Sequence, residues 1–219
     1  HETGANLALP SLHELTRIHR DLTQSMGKVR LDRPEYDWAS MSAHKFYGPK
    51  GIGALYSRDA ISPEPLILGG GQENGSRAGT LNVPAIVGMG VAAQISLDEF
   101  EADLNGAFRQ RDAFFEGLGE SDSWQWIRNE DSSPYIVNVC FEDIEAEMMV
   151  LAADQEEFAI SSGPACSSDS LEPSPVLLAI GVDNRWIRGA LRISFGRFSR
   201  EEEAEKLGLG VDREELRDL

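Results

Sequence analysis

Apolar residues recur at helical spacing in LPSLHELTRIHR, which predicts a helix over residues 9–20 that buries a leucine face, exposes His13 and Arg17 and runs straight into Asp21. Small and apolar residues between turn-forming glycines and prolines in WASMSA and GIGALYS predict two short strands, flanking a loop that holds Lys45 in a parallel-sheet layer. The glycine-rich loop PLILGGGQENGSRAGT leads to Pro84, near the start of a periodic stretch from Ala85 to Gly117 that reads as one long connecting helix. PYIVNVCF then predicts a buried strand, EAEMMVLAAD a helix, FAISSGPACSSDSLEPS a strand opening into a long polar loop, and ALRISFGR a last strand before a charged tail. Strands alternating with helices make the fold class α/β. No internal repeat or low-complexity tract is present.

At 219 residues and 41% hydrophobic content the chain can bury a sizeable core, as one large domain or two small ones. Its 37 acidic residues against 20 basic ones give a formal charge of -17, which argues against a broad grip on nucleic acid or an anionic membrane. No apolar run is long enough to span a bilayer, and HETGANLALP lacks the basic start and apolar centre of a signal peptide, so a cytoplasmic protein is expected. Cys140 and Cys166 form no disulfide framework and lack the paired spacing of a zinc site. SREEEAEKL reads as a solvated helical face and not a metal site. GGGQENGSRAGT matches neither the dinucleotide-binding nor the P-loop spacing and is better explained as a tight turn.

Three short stretches carry candidate chemistry. In HKFYGPKG, a desolvated Lys45 could supply a neutral amine that forms a Schiff base with a carbonyl or with pyridoxal phosphate, with Ser42, His44 and backbone N–H groups near enough to hold a phosphate. A lone loop lysine is more often a solvated charge. In DLTQSMGKV, Asp21 could keep a pyridine nitrogen protonated while Gln24 bonds the ring's phenolic oxygen, although a lone carboxylate there is more often a cap or turn acid. In SSGPACSSDS, Cys166 sits among small residues that leave its sulfur reachable, whereas Cys140 lies within an apolar strand and reads as a core thiol.

Taken in order, DLTQSMGK, SAHKFYGPKGIGALY, GGGQENGSRAGTLNVPAIVGMG, SSGPACSSDSLEPS and RISFGRF cover most of the chain and resemble the cysteine desulfurases, fold-type I pyridoxal phosphate enzymes of the class-V aminotransferase type. The short cysteine loop resembles the branch that serves iron-sulfur assembly. The resemblance implies a large, mostly parallel-sheet cofactor domain over residues 1–116 and a smaller α+β domain over residues 117–219. It implies that Lys45 binds the cofactor covalently, that Ser42 and His44 contact its phosphate, and that Asp21 and Gln24 hold its ring. Thr80 would reach the phosphate of a neighbouring subunit's cofactor, which implies a homodimer, and Arg192 would clamp the substrate carboxylate through its bidentate fork. On residues alone, Arg192 reads rather as a surface strand arginine in an ion pair.

The implied reaction removes sulfur from L-cysteine. The Cys166 thiolate takes the sulfur as a persulfide, alanine is released, and the small residues around Cys166 let the sulfur travel to an acceptor or iron-sulfur scaffold protein. Rival readings are another fold-type I enzyme, either a selenocysteine lyase or an aminotransferase, and a non-catalytic homologue that docks sulfur acceptors. The chain also departs from the family. The sequence starts at His1, after the position at which the family carries a phosphate-binding turn and a ring-stacking histidine, and His1 stands where an asparagine is usual. The short strand expected before Asp21 is replaced by helix, and Gly208 and Gly210 interrupt a terminal helix at a cost of about 1 kcal/mol each.

Overall fold

The computed structural model describes residues 2–5, 17–31, 36–58, 64–162 and 174–211. The chain forms two compact units, one of residues Leu9–Phe100 and one of His1–Ala8 with Glu101–Leu219.

In the Leu9–Phe100 unit, strands β1 (His19–Asp21), β2 (Trp38–Ser42) and β3 (Gly53–Ser57) form a sheet in that order. β1 runs parallel to β2 with Asp21 opposite Ser40, and β3 runs antiparallel to β2 with Gly53 opposite Ser42. The predicted helix over residues 9–20 lies mostly outside the described residues, and its end is corrected: His19–Asp21 is a strand. Ile18 fits the helical leucine spacing, but its carbonyl accepts from the amides of Asp37 and Trp38, and its side chain packs against Leu22, Tyr36 and Ala39. The strand that the sequence reading finds missing is therefore present, because pairing with β2 outweighs the helical pattern. The same unit ends in α1 (Val83–Asp98), which opens on an Asn82 cap that accepts from the Ala85 amide and has Pro84 in its first turn.

The expected continuous helix over residues 85–117 is also corrected, since α1 stops at a cap on Glu99 and α2 (Phe100–Leu118) begins anew. Asp98 and Glu99 are unfavourable at a helix C-terminus, while Glu101 and Asp103 are favourable in a first turn.

The other unit carries an antiparallel sheet ordered β4 (Trp124–Ile127), β5 (Ile136–Phe141), β7 (Gly189–Ser194) and β6 (Ser161–Ser162). Its helices are α2, α3 (Ala146–Gln155), the short α4 (Pro175–Ala179) and α5 (Asn184–Ile187), and α6 (Glu201–Val211). The core joins inward positions of the strands, Val137, Val139, Leu191 and Ile193, to Phe114, Met149 and Leu207 of the helices. β4 is absent from the sequence reading. Its Trp124 and Trp126 share one face and lie 5.7 and 4.6 Å from the Phe115 ring.

The two glycines of α6 differ in their surroundings. A Cβ on Gly208 would lie 2.2 Å from the Phe114 carbonyl oxygen, and one on Gly117 would lie 2.1 Å from that of Glu205. The α2–α6 crossing is thus a backbone-to-backbone contact that these glycines make possible. Gly210 meets nothing within 4 Å.

Candidate functional site

The site starts from the residues that must be buried around Lys45. Ala43–Phe46 form a 3-10 turn directly after β2, and Ala43 and Phe46 are buried in one cluster with Ala92 of α1. Pinning those two ends inward leaves His44 exposed and Lys45 half-buried. Tyr47 exits the turn in the left-handed region with φ of 68°, and the Gly48 amide closes it on the Ala43 carbonyl at 2.9 Å. A Cβ on Gly48 would stand 2.9 Å from the Ala43 Cβ, and one on Gly88 would stand 2.7 Å from Pro49 Cγ. The glycines of this region therefore let α1 and the GPKG loop close on the turn.

Asp21 ends β1, and the chain then curls into a compact turn: the Leu22 amide bonds the Ser40 carbonyl, and the amides of Ser25 and Met26 bond the Leu22 carbonyl. Leu22 is buried beneath it. The Thr23 amide donates to Asp21 Oδ1 at 2.8 Å. Hydrogen bonds from the Thr23 side chain and backbone, with a smaller contribution from His19, hold the exposed Asp21 carboxyl below its usual range. Gln24 Oε1 accepts from Lys28 Nζ at 3.4 Å. Burial and the charge of Lys45 push the Lys28 amine down.

Because β1 and β2 are parallel, both end at the same edge of the sheet, the usual location of ligand sites in open α/β sheets. Asp21 and Gln24 leave β1 at this edge, and Ser42, His44 and Lys45 leave β2 there. Thr80 belongs to the same unit and is exposed in the loop that leads into α1.

Arg192 belongs to the other unit. It lies in β7 opposite Asn138 on one side and Ser161 on the other, and its Nη2 donates to Ser161 Oγ at 3.3 Å. Its Nε is buried and has no partner among the described residues. Cys166 and the loop over residues 163–173 lie outside the described residues. Cys140 is fully buried, donates to Asn138 Oδ1 at 3.5 Å and has its thiol pushed up to about 12 by burial. A cleft in this unit lined by Asp103, Arg109, Gln110, Arg197 and Glu201 holds none of the candidate residues. Its charges are engaged with one another, Arg197 with Asp103 and Arg109 with Glu201.

Two groups escape the sequence reading. Lys28 stands four residues after Gln24 on a helix-like turn, a spacing that could have flagged the pair. Glu2 is buried, accepts from Ser174 Oγ at 2.5 Å and takes the Asn138 amide on its backbone carbonyl at 3.4 Å. No local pattern announces a contact between residues so distant in the chain.

Comparison with known proteins gives a consistent picture. The profile of the family described as aminotransferase class-V matches residues 11–207. A protein named cysteine desulfurase IscS, from Rickettsia massiliae (strain Mtu5), is 42% identical over 194 residues, covering 86% of this chain and 47% of its own length. A solved NifS-like protein superposes with a TM-score of 0.77 at 35% identity, over 90% of this chain and 51% of its own. SspA, solved in complex with cysteine, superposes with a TM-score of 0.59 at 36% identity, over 84% of this chain and 51% of its own. The chain thus spans about half the length of the curated relatives it matches.

Proposed function

We propose that this chain, which belongs to the aminotransferase class-V family, acts in a cysteine desulfurase that takes sulfur from L-cysteine, releases L-alanine and leaves a persulfide on Cys166. One observation carries the reading: Asp21, Gln24, Ser42, His44 and Lys45 leave two adjacent parallel strands at one edge of the sheet. That donor set suits pyridoxal phosphate. Lys45 offers an amine for the aldehyde, and Asp21, kept ionised by Thr23, offers a carboxylate for a protonated pyridine nitrogen. Gln24 offers an amide for the phenolic oxygen, and Ser42 and His44 offer donors for the phosphate. When bound, the cofactor supplies an electron sink for charge that develops on the substrate carbon.

The chain's own residues do the rest. Arg192 binds the substrate carboxylate, which gives its buried Nε the acceptor that the described residues do not provide. Lys45 Nζ moves a proton at the substrate's α-carbon. The Cys166 thiolate attacks the substrate's sulfur, and the new S–S bond forms as the substrate's C–S bond breaks. A reducing cytoplasm suits a thiol that must stay free between turnovers. In this reading residues 1–116 serve the cofactor and residues 117–219 carry the cysteine, with Thr80 reaching the cofactor of a second copy in a homodimer. An acceptor or iron-sulfur scaffold protein takes the persulfide sulfur.

The test is to load the full protein with pyridoxal phosphate and add L-cysteine with a thiol reductant. Cofactor absorbance together with equal yields of alanine and sulfide supports the reading. A colourless protein, or alanine without sulfide, contradicts it.

A further inference from the structure

Ser161 and Ser162 make up β6 at the outer edge of the antiparallel sheet, and both pair with β7. Residues directly opposite each other across an antiparallel pair project to the same face. Ser161 therefore shares a face with Arg192 and Asn138, its neighbours in register, while Ser162 shares the other face with Leu191 of the core. Ser161 Oγ accepts from Arg192 Nη2 at 3.3 Å. Asn138, on the other flank of Arg192, is engaged elsewhere: its Nδ2 donates to the Glu2 backbone carbonyl at 3.4 Å and its Oδ1 accepts from Cys140 Sγ at 3.5 Å. Among the described residues no carboxylate pairs with Arg192, and its buried Nε has no partner.

We propose that Ser161 is a positioning residue for Arg192, which fixes the plane of the guanidinium and leaves its charge and its remaining N–H groups to the carboxylate of an incoming amino acid. A guanidinium is planar and rigid, so an acceptor on Nη2 restrains rotation about the side chain's last bonds and aims the whole fork. The hydroxyl does this without neutralising the cation. An aspartate at position 161 would restrain the arginine equally, but it would cancel the charge and compete with the ligand's carboxylate. An arginine already held in place also has less ordering to complete when the ligand arrives, which favours binding. The buried Nε then gains the acceptor that the sheet does not supply.

The inference rests on the reading of Arg192 as the contact for the substrate carboxylate, and the test separates the two. The full protein is loaded with pyridoxal phosphate, KM and kcat are measured with L-cysteine, and binding of L-alanine is followed by cofactor absorbance. Ser161→Ala should raise KM and weaken L-alanine binding by roughly three- to tenfold while kcat stays level. Ser161→Thr, which keeps the hydroxyl, should recover the wild-type values, and Ser161→Val, its isostere without the hydroxyl, stands in for the alanine variant should that fail to fold. Ser161→Asp should raise KM to the level of Arg192→Ala. Adding Ser161→Ala to Arg192→Ala should change nothing further, because the serine acts through the arginine. Ser162→Ala, nearer Cys166 in sequence but on the opposite face, should leave KM unchanged, which separates a lost contact from a disturbed loop. Unchanged KM in the alanine and valine variants, equal losses in the threonine and valine variants, or a further loss in the double variant would overturn the proposal alone. A wild type that takes up no cofactor, or an Arg192→Ala variant with unchanged KM, would overturn the functional reading and this proposal together.

Discussion

Asp21 lies directly opposite Ser40 across the parallel β1–β2 pair. This register brings the carboxylate to the end of the sheet at which β2 turns into the Ala43–Phe46 segment that carries Lys45. Residues from two separate strands thus share one edge because of strand direction.

Thr23 should set the ionisation of Asp21. Thr23→Val removes the hydroxyl, the largest influence on this carboxyl, and should raise it toward the ordinary carboxylate range in a carbon-detected NMR titration. The sign for stability follows. A depressed carboxyl stabilises the fold above its ordinary value and loses that contribution as pH falls through the depressed one. The variant should therefore lose less stability than the wild type on acidification, and coincident acid-unfolding curves would contradict this account.

The two α6 glycines should respond oppositely to alanine. Gly208→Ala drives a Cβ into the α2 backbone and should destabilise the protein by about 1–3 kcal/mol in urea unfolding. Gly210→Ala meets open space and should be neutral or stabilising by up to about 1 kcal/mol. Equal effects would contradict the close crossing.

Arg192 should govern the affinity for substrate. Arg192→Ala should raise KM for L-cysteine roughly 10- to 100-fold, the scale of one lost charge-assisted contact. Arg192→Lys should recover only part of it, because a single ammonium cannot both engage Ser161 and present a fork. An unchanged KM would assign Arg192 to the sheet alone.

The two cysteines should separate cleanly. Cys166→Ser should abolish sulfide release while leaving cofactor absorbance intact. Cys140, buried with its thiol pushed up to about 12, should resist thiol reagents until the fold is opened by denaturant. Rapid labelling of Cys140 in the native protein would contradict its place in the core.

Much of this arrangement is legible in the residue pattern, and the exceptions have physical causes. β5, β7 and α3 follow their sequence periodicity because each buries apolar residues in the core, whereas β3 is exposed over Gly53–Tyr56 and is held by its pairing with β2. β1 is misread because leucines before it match helical spacing while its strand character comes from β2, a partner that local sequence does not reveal. The break at Glu99 turns on charge at helix ends and leaves the hydrophobic period intact. DLTQ and HKFYGPKG stand out as chemistry, whereas the close approach of Gly27 to Phe46 is purely tertiary.

The most direct test of the central claim is where the cofactor attaches. The full protein is loaded with pyridoxal phosphate, reduced with borohydride, digested and mapped by mass spectrometry. The account predicts the phosphopyridoxyl mass on the peptide that contains Lys45, and its loss in Lys45→Ala. A label on Lys28 or Lys50 in its place, or no label at all, would contradict it.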